Sequence, residues 1–258
     1  MIYYKGGERI ETLNPDNAYF MPDDIGFAMY LMENGLFSTE ISGINKIIEE
    51  IESNHLDVKD KTFIDIGANV GTYTIALAPY FKQTFAFEPD KHIFNILCGN
   101  VALHNLSYKT QLYRTALSNR QELVHFKKFN ELGGESMCVK FNQEDISNTF
   151  FNQYGEVCVK TDEMMETKTL DSYSINNIGL IKIDVEGFEL NVLKGAYETI
   201  SKSNWPTILV ESWDASKYEK KEIYEAKLKL RDDLFNYLYS IGYCHRDRFV
   251  GDLFIFNH

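Results

Sequence analysis

The chain has 258 residues, 44% of them hydrophobic, with 38 acidic against 26 basic side chains and a formal charge of −12. That composition supports a sizeable core and excludes a disordered chain. The acidic balance argues against a nucleic-acid partner, which would call for a basic excess. Cys98, Cys138, Cys158 and Cys244 form no CxxC pair and stand beside no histidines at zinc spacing. With no signal-peptide pattern and no run of ~20 apolar residues, these features predict a cytoplasmic protein without a membrane partner.

Residues 1–60 read as an N-terminal extension capping the core, and 61–258 as the ligand-binding domain. The extension is rich in aromatics (Tyr3, Tyr4, Tyr19, Phe20, Phe27, Tyr30, Phe37) with no clear period. Ser38 can cap a helix with Ile41, Ile44, Ile48 and Ile51 on one face, ending near Asn54. An alternation then begins. Thr62–Ile66 is a short buried strand, and Thr72–Phe81 is a helix shortened or bent by Pro79. Thr84–Phe87 is the next strand, and Asp90 caps a helix carrying Ile93, Leu97 and Val101. Gln111–Leu117 is a third strand. Residues 121–170 interrupt the pattern with a strand at Leu123–Phe126, a Gly133-Gly134 turn and a polar remainder. They read as an insertion near the acceptor site, at the ligand edge of the sheet. Ile178–Val185 is a fourth strand, Leu190–Ile200 a helix and Thr207–Val210 a fifth strand. A long helix with Leu230, Leu234, Leu238 and Ile241 on one stripe leads to a closing hairpin, Tyr243–Phe249 and Leu253–Phe256. This alternation predicts an α/β fold, a mostly parallel sheet with helices on both faces.

Three clusters fall at strand ends, where open α/β sheets bind ligands. The first is Asp65-Ile66-Gly67-Ala68-Asn69-Val70-Gly71. Its G-x-x-x-G spacing lacks the G-x-G-x-x-G of a diphosphate cradle. A carboxylate at Asp65 would repel a diphosphate and suit an ammonium or sulfonium group. The second is Glu88, about twenty residues beyond the loop, where an acidic group can accept hydrogen bonds from ribose hydroxyls. The Asp90 cap leaves Glu88 freer for a ligand. The third is Asp184-Val185-Glu186-Gly187, joined by Glu211 after the next strand. Asp184, Glu186 and Glu211 are the candidate catalytic carboxylates, able to act as base toward a hydroxyl. They could gather around a divalent metal, but an acceptor pocket without metal is the favoured reading. His245 reads as structural.

In these motifs the chain resembles the FkbM-type methyltransferases. The matching pieces are Ile64-Asp65-Ile66-Gly67-Ala68-Asn69-Val70-Gly71, Phe87-Glu88-Pro89, Leu97 to Asn100 and Leu103 to Asn105. Thr169-Leu170-Asp171, Lys182-Ile183-Asp184-Val185-Glu186-Gly187, Glu189, Val192-Leu193-Lys194-Gly195-Ala196 and Ile208-Leu209-Val210-Glu211 follow. The resemblance covers about residues 60–258. It implies a Rossmann-like class I methyltransferase sandwich, with seven strands and the last one antiparallel.

The resemblance also implies S-adenosylmethionine as methyl donor and a hydroxyl acceptor on a sugar, glycan or other small molecule. Carried over residue by residue, Asp65, Gly67, Asn69 and Gly71 line the methionine side of the donor, with Ala68 and Thr72 in the same turn. Glu88, followed by Pro89, holds the ribose. Thr115 and Ala116 flank the adenine, although Arg114-Thr115 stands where such enzymes often have an acidic residue. Two rivals are a nicotinamide oxidoreductase, disfavoured by the glycine spacing, and a binding protein of this fold without turnover.

Overall fold

The computed structural model describes residues 2–5, 8–11, 38–129, 135–139, 150–151, 157–185, 187–212, 221–248 and 252–256. Most of the N-terminal aromatics and the Gly133-Gly134 turn lie outside them.

Strands β1 (Ile2–Lys5) and β2 (Glu8–Glu11) form an antiparallel pair. Helix α1 (Ser38–Glu52) follows. The main sheet is built from β3 (Thr62–Ile66), β4 (Gln83–Phe87), β5 (Thr110–Tyr113), β10 (Ile178–Ile183), β11 (Thr207–Val210), β12 (Tyr243–Arg248) and β13 (Asp252–Phe256). Its order is β12-β13-β11-β10-β3-β4-β5. All neighbouring pairs are parallel except those involving β13. The seven strands and the antiparallel last strand implied by the resemblance are both present.

Period-two alternation sorts the strand residues onto two faces. Ile64, Ile66, Ile181, Ile183, Ile208 and Val210 share one cluster with Val192, Leu193, Leu234 and Leu238. Those last four belong to α4 (Glu189–Lys194) and α6 (Lys221–Ser240). Phe63, Leu180, Leu209 and Leu253 pack on the opposite face against Ile44 and Ile47 of α1 and Tyr73 and Leu77 of α2 (Thr72–Leu77). Asp65 and Lys182 have the parity of Phe63 and Leu180, so both head toward α2. A third cluster joins Ile75 of α2 to Ala86 of β4 and to Leu97 and Val101 of α3 (Lys91–Leu103).

Pro79 ends α2 early: a 3₁₀ turn over Ala78–Tyr80 replaces its last turn. The single helix expected over Leu190–Ile200 is two, α4 and α5 (Tyr197–Lys202). The break falls at Gly195, where a Cβ would lie 2.1 Å from the Ser118 carbonyl oxygen. Here the chain passes too close to its neighbour to carry a side chain.

The insertion folds as a second, antiparallel sheet of order β7-β6-β9-β8. It comprises β6 (Leu123–Phe129), β7 (Glu135–Val139), β8 (Phe150–Phe151) and β9 (Val157–Glu166). Its two ends meet in a narrow neck. The Thr167 hydroxyl bonds the Arg120 carbonyl at 2.8 Å, and the Thr167 amide donates to Glu122 O at 2.8 Å. Leu117 pairs with Lys168 just below.

Candidate functional site

Parallel pairing of β10 with β3 sets Lys182 opposite Asp65. Both are buried, Asp65 at 0% exposure. The Lys182 ammonium lies 3.5 Å from Asp65 Oδ1 and 3.3 Å from Asp184 Oδ2. It also donates to the Gly67 carbonyl at 2.9 Å and sits 5.2 Å from the Tyr73 ring centre. Asp65 Oδ2 accepts the Thr74 hydroxyl at 2.6 Å. Asp65 therefore faces inward to α2 and Lys182, and any effect it has on a ligand passes through that buried pair.

The glycine loop needs left-handed backbone at three places, with φ of 75° at Gly67, 50° at Asn69 and 97° at Gly71. At Gly67 a Cβ would stand 1.7 Å from the Asp184 carbonyl oxygen, so only glycine fits. The Asp184 amide donates to Ile66 O at 3.0 Å. The glycine loop and the turn that carries Asp184 are thus in direct contact. Ala68 is buried, Thr72 begins α2, and the Asn100 side-chain amide of α3 holds Val70 O at 2.8 Å.

Glu88 closes the other side of the loop. Its Oε2 accepts the Asn69 amide at 3.0 Å and its Oε1 the Asp90 amide at 2.8 Å. Asp90 caps α3 as expected, accepting from His92 N and Ile93 N. Glu88 thus bonds the amide of the cap residue as well as that of the glycine loop. Burial pushes the Glu88 carboxyl up to about 7, only partly offset by these two amides. Pro89 follows, and Glu88 N donates to Tyr113 O at 3.1 Å.

Asp184 is the most open of these carboxylates, with a side chain 31% exposed. Burial alone would raise its pKa. The Lys182 ammonium and a side-chain hydrogen bond with Glu211 outweigh that and hold it below the ordinary value. Glu211 N donates to Ile183 O at 2.8 Å, which fixes Glu211 beside the end of β10. The structure thus brings Asp184 and Glu211 together, while Glu186 lies outside the described residues.

Glu189, read from sequence only as part of a motif, is buried, and burial raises its pKa. Its Oε1 accepts Gly187 N at 2.9 Å and Val185 N at 3.2 Å, clamping the turn that carries Asp184. The signal available was its place as the first residue of a helix, where a carboxylate suits the free amides of the N-terminus.

Thr115 and Ala116 follow β5 on the Glu88 side of the sheet. Ala116 is buried and accepts the Lys168 amide at 3.0 Å. It packs with Val124, Met165 and Phe188, so the base of the second sheet touches the residue that precedes α4. His245 stacks on Phe235 and meets Phe254 edge-on, as expected of a structural residue.

The chemistry of this edge fits a cationic donor. Among the described residues its ionisable groups include Asp65, Glu88, Asp184 and Glu211 against the Lys182 ammonium, an acidic set that would repel a diphosphate and attract a sulfonium. Among the described residues no group of three or more His, Cys, Asp or Glu could hold a metal ion. Also among them, no helix is long and apolar enough to cross a membrane.

The FkbM methyltransferase domain family matches residues 65–243. The chain is 26% identical over 59% of its length to methyltransferase sdnD of Sordaria araneosa. It is 27% identical over 68% to the 2-O-methyltransferase NoeI of Sinorhizobium fredii. To the hexuronic acid methyltransferase AglP of Haloferax volcanii it is 26% identical over 72%. The chain spans 66%, 70% and 68% of the lengths of these relatives. The matched span runs from Asp65 past Glu88, Lys182, Asp184 and Glu211, and the chain belongs to the FkbM methyltransferase domain family.

Proposed function

We propose that this chain is an S-adenosylmethionine-dependent O-methyltransferase whose acceptor is a hydroxyl on a sugar, glycan or other small molecule. One observation carries the reading. The glycine loop and Asp184 stand in backbone contact at one sheet edge, with Glu211 beside Asp184, the arrangement a donor cradle next to a base would need. The relatives named for 2-O-methylation and for a hexuronic acid point to a sugar hydroxyl. The cytoplasm is the proposed setting, in keeping with the free thiols of Cys98 and Cys244.

The bound donor would supply a methyl group already activated on a cationic sulfur. The protein's share is alignment and proton removal. Alignment can contribute roughly 7–11 kcal/mol, and a positioned base typically 10²–10⁴-fold. Asp184, held ionised by Lys182, takes the proton of the acceptor hydroxyl onto its carboxylate. Glu211, hydrogen-bonded to Asp184, holds that carboxylate in place. Glu189 fixes the turn. In this reading Gly67, Asn69 and Gly71 line the methionine half of the donor, Glu88 takes the ribose, and Thr115 and Ala116 border the adenine. Glu186 is proposed as an acceptor-side carboxylate next to Asp184.

Calorimetric titration with S-adenosylmethionine, S-adenosylhomocysteine and NAD tests the donor. Transfer of labelled methyl groups to a panel of glycosides, uronosides and lipids tests the acceptor. Binding of NAD without either adenosyl ligand would sink the proposal. Tight adenosyl binding with no transfer to any acceptor would favour a binding protein of this fold.

A further inference from the structure

Lys182 interrupts an otherwise apolar buried strand, and the catalytic scheme above uses it only to keep Asp184 ionised. Its position invites more. A buried lysine is costly unless its charge is compensated and its three N–H groups are placed. Here three acceptors surround it: Gly67 O, Asp65 Oδ1 and Asp184 Oδ2. These come from the donor loop, the strand beneath it and the catalytic turn.

Lys182 places one positive charge among the carboxyl groups of Asp65, Glu88, Asp184 and Glu211, in ion-pair contact with Asp65 and Asp184. It therefore lowers the negative charge that faces a sulfonium by one, whatever protons the carboxyl groups hold. Without Lys182 the site would bind the cation more tightly. That extra binding would be lost as charge leaves sulfur in the transition state, so it would oppose transfer. It would also widen the gap between the charged donor and its neutral demethylated product.

We infer that Lys182 is a positioning and charge-setting residue of the donor site: it ties Gly67 to Asp184 and limits the site's preference for a cationic over a neutral adenosyl ligand. This rests on the donor assignment proposed above. S-adenosylmethionine and S-adenosylhomocysteine share every group except the methyl and its charge. General damage to the site therefore weakens both alike, whereas a change in site charge shifts their ratio.

The experiment is calorimetric titration of the full chain with each ligand, in wild type and in K182M, D184N and K182M/D184N, with melting curves to show folding. K182M should raise the preference for S-adenosylmethionine over S-adenosylhomocysteine about tenfold, the Coulomb effect of a unit charge roughly 10 Å away at an effective dielectric of about 20. D184N should lower it by a similar factor, and the double variant should return near the wild-type ratio. Should K182M not fold, K182Q makes the same comparison, with K182R as the variant that keeps the charge. A ratio unchanged in whichever folded charge-altering variants are measured overturns the inference while leaving the donor assignment intact. Failure of wild type to bind either ligand overturns both.

Discussion

The Glu88 carboxylate accepts the Asn69 amide at 3.0 Å and so latches the glycine loop to the end of β4. Because burial moves Glu88 from 4.5 to about 7, the folded chain holds this proton more tightly than the unfolded chain does. The stabilisation is full below pH 4.5 and is lost as pH rises through 7, on the order of 3 kcal/mol in all. Thermal melts of the unliganded protein should fall between pH 5 and 8, and E88Q should flatten the part due to this residue. A wild-type and E88Q pair with parallel melting profiles would remove Glu88 from the account.

Ribose hydroxyls donate best to an ionised carboxylate. Binding of S-adenosylhomocysteine should then strengthen about tenfold from pH 6 to 8 and release roughly half a proton at pH 7. Titrations in two buffers of different ionisation enthalpy measure that release directly. The donor KM should fall over the same range while kcat stays flat, since Asp184 lies below the ordinary carboxylate value and is ionised throughout. A kcat that instead follows Glu88 would place the titrating group in the chemical step.

The Glu189 clamp predicts a contrast between two substitutions. E189Q keeps a side-chain oxygen for Val185 N and Gly187 N, and burial already favours the neutral form. It should unfold in urea within about 1 kcal/mol of wild type. E189A strands both amides and should cost about 1–3 kcal/mol, with a larger loss of methyl transfer than of donor binding. Equal stability of the two would show that the amides find other partners.

G67A should be among the most damaging single changes in the chain. It adds a methyl group against the Asp184 carbonyl at a φ of 75°. Destabilisation of at least ~3 kcal/mol is expected, with donor binding lost even where the fold survives. Retention of wild-type affinity would mean the loop can move away from the turn.

What was legible in the sequence follows from where burial is simple. β3, β10 and β11 are apolar runs flanked on both faces, and Asp90 announced its helix by capping chemistry. β9 was not legible. Its Thr161-Asp162-Glu163 stretch is polar, and its pairing with β6 is decided forty residues away. The split at Gly195 depends on a close approach to Ser118, a contact that no local pattern encodes. Lys182 showed only as the first residue of the Lys182-to-Gly187 motif. Laying the two parallel strands side by side would have set it opposite Asp65 and exposed the pair. Asp65 itself was placed at the right strand end, but the pleat turns it inward toward Thr74.

The pinched neck at Leu117, Thr167 and Lys168 makes the second sheet a plug-in module. Everything between Leu123 and Glu166 enters and leaves through one clamp, so the core sheet can keep its donor geometry whatever is mounted there. Relatives can diverge in this module without retuning the chemistry of Asp184. The base of the module also packs on Ala116, which the proposed function sets beside the adenine, so a graft at the neck would be felt there before it reached Asp184.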